Sequence, residues 1–268
     1  VILPMNIVER IVEGKHGLAA GEDGSVVCDY SVAVIDGSTS KTPLRIKSSM
    51  SNGKFAMELV AAFIRRMPAT LTIGDFCKGV TTAISDQYDL YHLDKKHLSC
   101  HPEERLTASV IVYSQQRREV WMVGDCQGLI GDVRCVNEKP SEHTLALRRA
   151  QLVTQPYEHY QDHDIARDKI LPDLIEAMKG QNRTYSVVDG FPIPLPLTKV
   201  YEVPTSVKEV ILASDGYPFL CPTLQESERL LAKQLRDDPL NIHSFVATKG
   251  LLHGNISFDD RAYIRFEV

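Results

Sequence analysis

The sequence predicts an α+β protein in which two groups of antiparallel strands are stacked and flanked by helices. Three observations lead there. Short β-prone runs are interleaved with four or five long helical segments, without the regular strand–helix alternation of a parallel sheet. The middle of the chain, residues 107–136, is dense in strand candidates separated by short turns. No compositional break marks a linker, so residues 1–268 are expected to form one domain.

The elements follow in order. Residues 25–36 (SVVCDYSVAVID) read as a strand that closes on an Asp-Gly turn. Residues 53–67 read as a helix, with Phe55, Leu59, Phe63 and Met67 at four-residue spacing and Pro68 as its stop. A second helix is expected over 74–91, with Phe76, Val80 and Ile84 on one face. Residues 107–114, 119–124 and 128–136 read as successive antiparallel strands, the first two joined by a polar hairpin at 115–118. Residues 141–155 and 164–178 read as helices, the latter restarted or kinked at Pro172. Three prolines within 191–196 remove ladder donors, so that stretch is expected to be an extended crossing segment. Residues 209–214 (EVILAS) form a short buried strand. Thr223 and Glu226 make a capping box that opens a helix bearing Leu224, Leu231 and Leu235. Residues 261–268 alternate apolar and polar side chains, as a half-buried strand does.

Composition narrows the function classes. With 268 residues the chain can bury a sizeable core, and 43% apolar with 24% charged residues is ordinary for a soluble protein. A net charge of −5 argues against nucleic acid or an anionic membrane as the main partner. No apolar run approaches the roughly 18–20 residues that cross a bilayer. Residues 1–5 lack the basic-then-apolar pattern of a signal peptide. The six cysteines form no C-x-x-C pair, so a zinc site is not expected, and scattered free thiols suit a reducing cytoplasm.

Acidic residues collect at strand ends: Gly21-Glu22-Asp23, Asp36-Gly37, Gly124-Asp125-Cys126, Ser214-Asp215-Gly216 and Asp259-Asp260. Hard divalent cations need several oxygen ligands on rigid supports. Carboxylates gathered from distant segments repel one another, and a bound cation removes that cost. Each segment also has a plain reading, as an Asp-Gly turn, a hairpin or a solvated loop. Asp36 and Asp215 share one syntax, in which an apolar strand delivers an Asp followed by Gly.

In this order and context the segments resemble those of the metal-dependent PPM protein phosphatases, the type 2C Ser/Thr phosphatases, in a divergent bacterial-type form. The resemblance rests on Glu22-Asp23, Val34-Ile35-Asp36-Gly37, Thr107-Ala108, Val123-Gly124-Asp125, Leu212-Ala213-Ser214-Asp215-Gly216 and Asp259-Asp260-Arg261, and it spans nearly the whole chain. It implies a four-layer α-β-β-α sandwich with a metal site at one edge of the two sheets. It implies two Mg²⁺ or Mn²⁺ ions and a third, weaker site. Asp36 would bridge the pair with help from the carbonyl of Gly37, Asp215 and Asp259 would hold the second ion with Asp260 beside them, Glu22 and Asp23 would act through water, and Asp125 would serve the third site. The implied reaction is hydrolysis of a phosphate monoester, phospho-Ser/Thr of a protein or a small phosphate ester, by an activated water without a phosphoenzyme. Asp36, Asp215 and Asp259 would be its catalytic residues, and residues 155–196 a flap that selects substrate.

Two positions depart from the family pattern. His-Gly-Gly usually follows the Asp-Gly, and here Ser38-Thr39-Ser40 does. The phosphate-gripping Arg four residues before the Glu is replaced by Leu18, leaving Lys15, His16, Lys41 and Arg45 as nearby cations. These departures keep open a second reading, a regulatory or phosphate-binding domain impaired in catalysis. His159 and His163 have metal spacing in a very polar stretch expected to be surface or lid, and His92, His97 and His101 are expected on the surface.

Overall fold

Each apolar strand run finds its place in one of two five-stranded antiparallel sheets, in a computed structural model that describes residues 5–17 and 21–268. The strands are β1 (Ile7–Glu13), β2 (Gly24–Val27), β3 (Ser31–Gly37), β4 (Ala108–Ser114), β5 (Glu119–Val123), β6 (Gln127–Ile130), β7 (Val133–Cys135), β8 (Lys199–Glu202), β9 (Glu209–Ala213) and β10 (Arg261–Glu267). One sheet runs β1-β10-β9-β6-β7 and the other β2-β3-β4-β5-β8. The helices are α1 (Asn52–Ile64), α2 (Ile73–Leu90), α3 (Lys95–Cys100), α4 (Glu142–Leu152), α5 (Ile165–Met178) and α6 (Leu224–Asp237).

Strand periodicity builds the layers. Along β4, Ile111 and Tyr113 face the other sheet, where Val210, Leu212, Ile264 and Phe266 meet them. Val110 and Val112 face outward, against Val60, Ile64, Phe76, Val80 and Ile84 of α1 and α2. Trp121 of β5 sits in this outer layer, with its ring centroid 5.8 Å from that of Phe76 and its Nε1 donating to Glu119 at 2.7 Å. Leu231 of α6 covers the far face of the first sheet over Ile211 and Tyr263. The order of layers is therefore helix, sheet, sheet, helix, as the α-β-β-α sandwich requires. No helix among the described residues is long and apolar enough to cross a membrane.

Local chemistry sets the helix starts. Ser51, Thr72, Asp164 and Thr223 each accept a backbone N–H in the first turn of α1, α2, α5 and α6. Other details depart from the sequence reading. The expected single strand over 25–36 is a hairpin, β2 and β3, closed where Cys28 N–H donates to Ser31 at 2.8 Å. The strands over 119–124 and 128–136 are not neighbours. The chain leaves one sheet after β5 and enters the other at β6, through Gly124 at φ +88°. Strands β1 and β8 and helix α3 were not expected at all.

Candidate metal centre

The strand ends that carry the acids lie together. Asp36 is the penultimate residue of β3, paired opposite Ser109 of β4. Asp125 lies in the crossing between the sheets, Asp215 two residues beyond β9, Asp259 and Asp260 just before β10, and Glu22 and Asp23 just before β2. Asp36, Asp125 and Asp215 each bring a ligand oxygen within 4.8 Å of the others. The glycine after each Asp-Gly step is dictated by close approach. A Cβ on Gly37 would fall 2.3 Å from the carbonyl oxygen of Gly53, and one on Gly216 would fall 2.0 Å from that of Asp260.

Hydrogen bonding divides the eight expected site residues. Both Asp260 oxygens accept backbone N–H groups, from Lys15 and from Glu22, each at 2.8 Å. Glu22 accepts from the Thr39 hydroxyl at 2.7 Å and from the Ser51 hydroxyl. Asp125 accepts from the Ser109 hydroxyl at 2.6 Å and pairs with Lys139 at 2.6 Å. Asp259 accepts the Asp260 N–H at 3.0 Å and pairs with Lys249. In contrast, Asp36 and Asp215 receive no hydrogen bond from a described residue, and Asp23 Oδ2 is buried without a partner. Those oxygens are the ones open to a ligand. An all-oxygen set of this kind suits a hard divalent ion such as Mg²⁺ or Mn²⁺.

Electrostatics follows the same division. Burial raises the pKa of Asp36 well above the usual carboxylate range, and repulsion from Asp23, Asp125 and Asp259 adds to it. Asp215 is raised by burial and by Asp36, Asp125 and Asp259. Asp23 is raised by burial and by Asp259, Asp215 and Asp260, against a lowering hydrogen bond with Ser214. Burial also pushes Asp125 and Asp259 upward, but their lysine partners outweigh it and hold both low. Without a cation Asp23, Asp36 and Asp215 therefore hold their protons to higher pH than an ordinary carboxyl does. Buried Cys126 is raised as well, by desolvation and then by the acids beside it.

A cavity of about 130 Å³ opens beside the acids. Lys41, Lys139, Arg167 and Lys249 line it together with Asp36, Asp215 and Asp259. Leu145 of α4 and Leu174 and Met178 of α5 supply an apolar wall, so part of the segment 155–196 borders the site. Burial, then Arg167, Lys249 and Lys139, lower the Lys41 pKa to about 7. Arg167 is held by the Thr248 carbonyl at 2.5 Å. Of the four cations considered from sequence, Lys41 lines this cavity and Lys15 lies 3.8 Å from Asp259, whereas His16 and Arg45 are exposed. Leu18, read as the missing Arg, lies outside the described residues. Sequence reasoning missed Lys139, Arg167 and Lys249, which come from turns and helices with no motif around them.

A second group able to hold a divalent ion lies apart from the acids. His97, His101 and Glu104 have ligand atoms within 4.8 Å of one another, with His97 Nε2 2.8 Å from Glu104 and His101 Nδ1 3.1 Å from Glu103.

No protein-family model and no curated protein matches the chain. Solved structures do. The serine/threonine phosphatase PstP/Ppp of Mycobacterium tuberculosis aligns at 17% identity over 98% of this chain and 99% of its own, with a TM-score of 0.50. PppA, a regulatory component of the type VI secretion system in Pseudomonas aeruginosa, aligns at 10% identity over 100% and 99%, with a TM-score of 0.51. The serine/threonine phosphatase Stp1 of Staphylococcus aureus aligns at 13% identity over 100% and 97%, with a TM-score of 0.50. Another structure of PstP, 16% identical with a TM-score of 0.50, is a complex with two manganese ions. At these identities the likeness is one of architecture, and the chain has the PP2C-like sandwich fold.

Proposed function

We propose that this chain is a metal-dependent hydrolase of phosphate monoesters, directed at phospho-Ser/Thr of proteins and using Mg²⁺ or Mn²⁺. One observation carries the reading: Asp36, Asp125 and Asp215 converge from three distant strand ends, next to a buried Asp23 oxygen that no described residue satisfies. Asp36, Asp215 and Asp23 are the residues that would hold the ion. An ion there supplies Lewis acidity toward water and phosphate. Lys41 and Arg167 face the same cavity and place positive charge where phosphate oxygens would lie. The apolar wall from α4 and α5 keeps bulk water from one side of that cavity. Ser38 stands where the resemblance implies a His, so protonation of the leaving oxygen falls to another donor. Lys41, with its pKa lowered to about 7, lines the cavity and is the donor we assign to that step.

The absence of that His also supports the second reading, a phosphate-binding or regulatory domain with impaired turnover. Phosphate release from an aryl phosphate and from a phosphoserine peptide separates the two. We expect release with Mn²⁺, none with chelator, and a fall of at least about 100-fold with Asp36→Asn or Asp215→Asn. Tight phosphate binding without release at any pH or metal concentration would favour the regulator.

A further inference from the structure

We propose that Lys139 and Lys249 are resident cations of this centre. Their ammonium groups stand where further ions would bind, at Asp125 and Asp259, so the site takes one divalent ion at Asp36 and Asp215 instead of two or three. The inference deepens the hydrolase reading of the same site and depends on it only for where the ion sits.

The oxygen accounting leads to it. Each Asp125 oxygen is already engaged, one by the Ser109 hydroxyl at 2.6 Å and one by Lys139 Nζ at 2.6 Å. Each Asp259 oxygen is engaged too, one by the Asp260 N–H at 3.0 Å and one by Lys249 Nζ. Among the described residues, the site carboxylates left open are Asp36, Asp215 and one oxygen of Asp23. Three carboxylates make a plausible shell for one hard ion completed by water, and a thin shell for two.

The lysines are built in. The Lys139 carbonyl accepts the Glu142 N–H at 3.2 Å in the turn that opens α4. The Lys249 carbonyl accepts from the side chain of Asn241 at 3.1 Å, and Asn241 is fully buried. Both side chains are 28% exposed, and each ends on the acid it pairs with, Lys139 on Asp125 and Lys249 on Asp259. An ion seeking Asp125 or Asp259 must displace an ammonium and then sit beside it, with like charges at close range. An ammonium also differs from an ion in offering three N–H donors to a bound anion. Lys139 and Lys249 both line the cavity and can turn such donors toward it.

The test is a count of bound Mn²⁺ by equilibrium dialysis, with the free ion read by electron paramagnetic resonance and folding checked by circular dichroism. The His97→Ala/His101→Ala chain, in which the separate histidine group does not contribute, should bind one Mn²⁺ at the acidic centre, and the lysine and Asp36 variants are made in that background. Lys139→Gln and Lys249→Gln should each admit an additional ion, whereas Lys139→Arg and Lys249→Arg should keep the count at one. Asp36→Asn should abolish binding. The spectrum of the saturated chain gives a second readout that needs no lysine variant: an isolated ion supports the inference, and an exchange-coupled pair overturns it. Two ions at similar affinity, or an unchanged count in both Gln variants, would overturn it as well. A one-ion chain that never releases phosphate would keep this inference and sink the hydrolase reading, and a two-ion phosphatase would do the reverse.

Discussion

Asp260 Oδ2 accepts the backbone N–H of Glu22 at 2.8 Å, across 238 residues of chain. Its other oxygen takes the N–H of Lys15 at the same distance. The carboxylate therefore staples the turn before β10 to the loop before β2, and in doing so sets the position of Asp23 and Asp259 on either side. Asp260→Ala leaves two amide groups without an acceptor and should cost about 2–4 kcal/mol in a urea titration. Asp260→Asn should weaken Mn²⁺ binding far less than Asp36→Asn. Equal losses in the two would make Asp260 a ligand instead.

The raised acids make metal stabilisation dependent on pH. Asp23, Asp36 and Asp215 hold protons to higher pH when folded than when unfolded. The metal-free chain therefore loses stability as pH rises from the unfolded carboxylate value, near 4, through the raised folded values. Mn²⁺ relieves the repulsion that grows over that range. Its increment in melting temperature should be larger at pH 8 than at pH 5, and an increment that shrinks with rising pH would contradict the shared site.

Lys41 has the opposite sign. Its pKa falls from 10.5 to about 7 on folding, chiefly through burial. Between those values the unfolded chain binds the extra proton, so this group's contribution to stability improves as pH rises. Lys41→Met should stabilise the metal-free protein at pH 6, and the gain should fade toward pH 10. Thermal melts of both proteins across that range measure it.

Arg149 is fully buried and joins three segments. Its Nε donates to Asp164 at 2.9 Å, and its Nη1 donates to the carbonyls of Leu240 at 2.7 Å and Ala247 at 3.1 Å. It thereby ties α4 and α5 to the loop that presents Lys249. Arg149→Met strands the Asp164 carboxylate and two carbonyls, and should cost about 3–5 kcal/mol by chemical denaturation.

Much of the sandwich was legible because its signals are local. An apolar run ending in Asp-Gly announces a strand end, and Thr223 with Glu226 announces a helix start. The misses share a different cause. Strand β1 carries Glu9, Arg10 and Glu13 and looks like a solvated segment, yet Glu9 pairs with Arg265 at 2.8 Å and Glu13 pairs with Arg261, both directly opposite on the neighbouring strand β10 at the far end of the chain. Helix α3 is only six residues and hides among charges, held by Asp94 accepting the Lys96 N–H at 2.8 Å. That β5 and β6 belong to different sheets is decided by partners far along the chain. Lys139, Arg167 and Lys249 were invisible for the same reason, since a lysine that will face an acid reads like any surface lysine.

Trp121 is the sole tryptophan in the chain, and it projects from β5 against Phe76 of α2. Its emission is thus a built-in optical reporter of a single interface. A melt followed at that wavelength senses the detachment of the α1–α2 layer, whereas far-ultraviolet dichroism averages over every helix and sheet. A lag between the two traces would mean that the outer helices peel away before the paired sheets come apart.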